Sequence, residues 1–157
     1  MSQMPATLAL LALGLVPRQE AADAHRTMAM GFDQHATAHH FRLYEDGGAI
    51  EVDVNDPADV TNREAIRSHL SHIAKMFGSG NFEAPMLVHD STHVPGTAVM
   101  AERRDGIRYT YGETPNGGRV DIVTADPAAL AAVHAFLSYQ IAEHKTGDPA
   151  DVTHRAP

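Results

Sequence analysis

The chain contains no cysteine. Disulfides, thiolate metal sites, a cysteine nucleophile and thioether-attached haem are all excluded. It also lacks an excess of positive charge. Twelve Lys and Arg stand against twenty Asp and Glu, giving a net charge of −8 and a pI near 5.7. That balance argues against nucleic acid or an anionic membrane as partners. The basic pair Arg103-Arg104 is too short to form a nucleic-acid patch. There is no long hydrophobic run: Leu8–Val16 is apolar over nine residues, where about 20 are needed to cross a bilayer. Hydrolase and nucleotide signatures are missing too. There is no Gly-x-Ser-x-Gly, Walker loop, Gly-x-Gly-x-x-Gly or His-Glu-x-x-His. Tryptophan is absent, and histidine is plentiful: eleven of them, beside seven methionines.

With 157 residues and 16.9 kDa, the chain suffices for one domain with a real core. Its apolar run Leu8–Val16 fits the core of a secretory signal, although the residues before it carry no Lys or Arg. Ala22-Asp23-Ala24 has the small-x-small form of a cleavage site. The expected division is a signal peptide over 1–24, a flexible His- and Met-containing leader over 25–38, one domain over 39–148 and a disordered tail over 149–157. Export to the periplasm or the exterior follows, with no membrane anchor after cleavage. A mature chain starting at His25 would offer its α-amine and imidazole as a chelate suited to Cu(II).

Hydrophobic periodicity organises the rest. His39, Phe41 and Leu43 alternate with His40, Arg42 and Tyr44, predicting a strand with His39 on the apolar face. Asp46-Gly47-Gly48 is a hairpin signal, and Ile50, Val52 and Val54 mark a second strand. A helix is predicted from Thr61 to Phe77, with Thr61 and Glu64 as a capping box and Gly78 as its stop. Pro85–His89 reads as a strand or buried loop, and Thr97–Arg104 as a short helix. Two more strands follow around Ile107–Tyr111 and Val120–Ile122, joined at Asn116-Gly117-Gly118. Asp126-Pro127 caps a last helix running to about His144, with Leu130, Val133, Leu137 and Ile141 as its core stripe and His134 and His144 at the edges. Each half reads as strand, Gly-Gly hairpin, strand, Asp-Pro, helix. The expected fold is α+β: a two-layer sandwich with a four-stranded antiparallel sheet, two helices on one face and a duplicated ββα unit.

The first helix carries the candidate site. Ile66, Leu70, Ile73 and Phe77 form its core stripe, and Ala65, His69, His72 and Met76 form a second stripe beside it. In the second unit the positions of His69 and His72 are Phe136 and Tyr139, so the unit can be built without the histidines. His89 and His93 lie on the long connection between the halves, with Asp90 between them. The expected metal ligands are therefore His39, His69, His72, His89 and His93, for copper or zinc, with Met76, Met86 and Met100 available to Cu(I). Binding, buffering or carrying the ion is the leading expectation. A small metalloenzyme with an open site is the second. A non-metal domain with pH-sensitive histidines at a homodimer contact is the third. Non-covalent haem held by His and Met is a minor alternative. No catalytic residue can be named.

Overall fold

A computed structural model describes residues 16–156. Helix α1 (Val16–Met30) leads into the hairpin of β1 (Thr37–Tyr44) and β2 (Gly47–Val54). Helix α2 (Val60–Gly78), two short helices α3 (Glu83–Val88) and α4 (Thr97–Glu102), and a second hairpin of β3 (Ile107–Thr114) and β4 (Gly117–Thr124) follow. Helix α5 (Pro127–His144) and the two-residue strand β5 (Val152–Thr153) complete the order. The fold is α+β, with one five-stranded mixed sheet in the order β3-β4-β2-β1-β5. Helix α2 packs on β2, β3 and β4, α5 packs on β1, β2 and β4, and α4 rests on α5.

The strands form where alternation demands them. Phe41 and Leu43 of β1 and Ile50, Val52 and Val54 of β2 are buried, and His40, Arg42, Tyr44, Glu51 and Asp53 between and beside them are more exposed. The hairpin glycines have a second task. Gly47 pairs with Val123 and Gly117 with Asp53, at the two ends of the antiparallel seam between β2 and β4. A Cβ on Gly47 would collide with the Ile122 carbonyl, and one on Gly117 with the Val52 carbonyl. Glycine lets the two hairpins cross this closely.

Helix ends differ from expectation by a few residues, for local reasons. Asp59, not Thr61, caps α2: its carboxylate accepts the Asn62 N–H at 3.0 Å. The left-handed glycine that closes the end of α2 is Gly80 rather than Gly78. There the Gly80 N–H donates to Phe77 O and the Asn81 N–H to Met76 O, both at 2.9 Å, with Gly80 at φ 81°. Asp126 caps α5 as expected, accepting from Ala128 and Ala129. Lys145, at φ 51°, makes the turn out of α5 before Gly147 is reached. The buried face of α5 is Ala129, Ala132, Val133, Phe136, Leu137 and Gln140, rotated from the expected stripe because α4 covers its other flank. Pro85–His89 lies in α3 and the residue after it, not in a strand or loop.

The sheet is mixed rather than four-stranded and antiparallel because the tail joins it. Val152 and Thr153 pair in parallel with Leu43 and Tyr44. Arg155 fixes this segment. Its guanidinium donates to the Gly48 and Ile122 carbonyls, pairs with Asp46 and Asp121, and lies 4.4 Å from the centre of the Tyr44 ring. Residues 149–156 are thus ordered by polar contacts, which leave no hydrophobic periodicity to read. The expected flexible leader is ordered as well. It continues α1, buries Met30 and Phe32, and ties the Asp33 N–H to Asn62. The expected cleavage point after Ala24 falls inside α1, and Leu8–Leu15 lies outside the described residues.

Candidate functional site

Four histidines from four elements meet over the core. His39 projects from the inner face of β1 beside Phe41, with ring centres 6.4 Å apart. His144 ends α5 and lies 5.0 Å from His39, the rings stacked at 25°. His89 follows α3 and meets His144 edge-on at 5.1 Å. His69 flanks the α2 stripe. Phe32 bridges to it at 5.5 Å and to His39 at 5.8 Å.

These rings border a pocket of about 70 Å³ whose walls are apolar, among them Phe41, Ile50, Leu70, Phe77 and Phe136. On their other side His39, His89 and His144 face a polar cleft of about 630 Å³, lined also by Arg26, His40, Glu143 and Lys145. Three imidazoles thus stand between a largely apolar chamber and a polar one.

Burial sets their charge. The His39 and His69 rings are lowered from 6.5 to about 4, and His144 to about 3. Desolvation is the largest cause in each case. Repulsion from other histidines adds to it: His69 and His40 on His39, His72 on His69, and His39 and His89 on His144, where Arg26 contributes too. At neutral pH these three are neutral imidazoles, each keeping one lone pair. Among the described residues, no Asp, Glu, Lys or Arg lines the inner pocket.

Gln140, one turn before His144 on α5, is only 4% exposed. Its Oε1 lies 2.8 Å from His89 Nε2, which donates and leaves His89 Nδ1 as the acceptor. Gln140 Nε2 has no partner. Exchanging the two amide ends would leave the oxygen unpartnered instead, so one polar end is free either way.

Of the expected ligands, His39, His69 and His89 border one pocket, and His72 and His93 do not. Helix geometry explains His72. At ~100° per residue, His69 lies about 80° from the centre of the buried stripe and His72 about 140°, so His72 is exposed. His93 is turned outward by a local clasp, in which its N–H donates to Ser91 Oγ and Ser91 Oγ–H donates back to the His93 carbonyl. It borders a separate groove with Asn81 and Thr97. Of the methionines named for Cu(I), Met76, Met86 and Met100, none lines the pocket, and Met100 is wholly buried; the methionine that does line it is Met30, which is not among them.

Sequence reasoning missed His144 and Gln140 as pocket residues. The available signal was Gln140, a polar residue four before a histidine in a mostly apolar helix. His134, also on α5, serves the fold: its Nε2–H is shared between the Tyr44 and Gly47 carbonyls at 2.9 and 3.1 Å.

Among the described residues, no group of three or more His, Asp or Glu side chains is drawn close enough, as the rings stand, to hold a metal ion. Comparison with protein-family models, curated proteins and solved structures gives no match to this chain.

Proposed function

We propose that the protein binds copper or zinc through His39, His89 and His144, with His69 and Met30 at the inner side of the same pocket. The observation that supports this is the spacing of three histidine rings at 5.0 and 5.1 Å around His144. Imidazoles bound to one ion at about 2.0–2.1 Å have ring centres on the order of 5 Å apart. The His39 and His144 rings, held neutral by burial, also need no proton removed before ligation. His39 and His144 are stacked, so closing on an ion requires rotation of the side chains. An all-imidazole set suits Zn(II) or Cu(II), and recruitment of the Met30 thioether would favour Cu(I). The role proposed is carriage or buffering of the ion. Export fits the same reading, through the apolar Leu8–Val16 and Ala22-Asp23-Ala24. The two ββα halves are read as copies, with His69 a specialisation of the position that is Phe136 in the second.

The test is a metal assay of untagged protein purified without chelator, followed by titration with Zn(II) and Cu(I) under NMR detection of the histidine rings. The expected result is one equivalent bound, with His39, His89 and His144 shifting together. Protein that stays metal-free and shows no ring shifts at one equivalent sinks the proposal.

A further inference from the structure

The inner pocket holds a second possibility that does not depend on a metal. We infer that the chamber walled by Phe41, Leu70, Phe77 and Phe136 is a binding site for a small uncharged molecule of the carboxamide or alcohol class, with Gln140 as its polar anchor. Three observations converge on this class.

The first is size. About 70 Å³ admits a molecule of a few heavy atoms. The second is the free end of the Gln140 amide, on a residue 4% exposed that lines the chamber. Buried amide groups are ordinarily satisfied, and one end of this one, on a residue that lines the chamber, has no partner among the described residues. The third is the lining. Among the described residues it offers no formal counter-charge, so a charged organic ion entering it would give up hydration without an opposite charge to pair with. Water alone is the simplest occupant, since two molecules at about 30 Å³ each would fill the space. Buried water needs two to four polar partners apiece, however. Here the polar side chains are the imidazoles and Gln140, while aliphatic and aromatic side chains form the rest. A molecule with one polar end and one apolar end matches that division.

Acetamide is the probe, with acetate and ethylammonium as charged counterparts of similar shape. The full chain is used in chelator, so that metal binding plays no part in the outcome. The Gln140 side-chain amide and the Phe136 ring are followed by NMR at pH 7. Acetamide should bind saturably in the millimolar range, as expected for so few atoms. Both ions should bind at least about tenfold more weakly. Gln140→Leu should weaken acetamide about tenfold or more. Ala84→Leu, which fills the chamber from α3, should abolish binding, with the backbone spectrum confirming that the variant is folded. No saturation by about 100 mM acetamide would mean a hydrated pocket only and would overturn the inference. Equal binding of acetamide and acetate, or an unchanged affinity in folded Gln140→Leu, would overturn it too.

Discussion

His39 and His40 are neighbours on β1 and live in different solvents. His39 faces the helices, where burial holds it neutral beside His144. His40 faces outward, with its Nδ1 3.1 Å from the Asp148 carboxylate, which also accepts from Phe41 N–H and Arg42. The same division extends over the whole sheet. The outer face carries Arg119 against Glu51 and Asp121, and Arg155 against Asp46 and Asp121, around the Tyr44 ring. The inner face carries buried apolar side chains, among them Phe41, Leu43, Val52, Val120 and Ile122. Strand alternation alone sends identical side chains to opposite electrostatic fates. The lesson is that a histidine-rich composition says little until each histidine is assigned to a face.

The largest way to break this contrast is to open the inner layer. Phe136 is 2% exposed and meets both Phe77 and Phe82. Phe136→Ala should cost about 3–5 kcal/mol in urea unfolding.

Acid should act next, and on the inner face. The folded pKa values of His39, His69 and His144 lie below the unfolded value of 6.5. The unfolded chain therefore takes up protons first as pH falls. The associated stability is complete above about pH 6.5 and is lost on descent towards pH 4, at up to about 1.4 kcal/mol per pH unit for each ring. Unfolding curves at pH 7.5, 6 and 5 measure the slope, and His144→Phe should flatten it. A slope unchanged by that substitution would mean the ring is not held neutral by burial.

On the outer face, Arg155→Ala removes the clamp on the tail. The bonds are partly solvent-exposed, so the expected loss is about 1–3 kcal/mol, together with faster amide exchange at Val152 and Thr153. His40→Ala should be smallest, at about 0.2–1 kcal/mol, since its partner Asp148 keeps the Arg42 and Phe41 contacts.

Much of this arrangement was legible in the sequence. Period-two alternation placed His39 inward and His40 outward, and the Asp126-Pro127 signal fixed the start of α5. What escaped was carried by tertiary contacts. Gln140 fell outside the expected stripe because α4 rotates the buried face of α5 by one position. The tail was unreadable because one arginine, not an apolar pattern, attaches it. His72 looked paired with His69 because residues three apart share a side of a helix, but ~60° of rotation is enough to separate a pocket from solvent at its edge. The His89 and His93 spacing could not reveal the Ser91 clasp that turns the second ring away.

The most direct measurement compares two double variants by calorimetric titration with Zn(II) and Cu(II): His39→Ala with His144→Ala, and His72→Ala with His93→Ala. The account predicts that the first pair loses the stoichiometric site and the second retains it at wild-type affinity. Loss of binding in the second pair with retention in the first would contradict it.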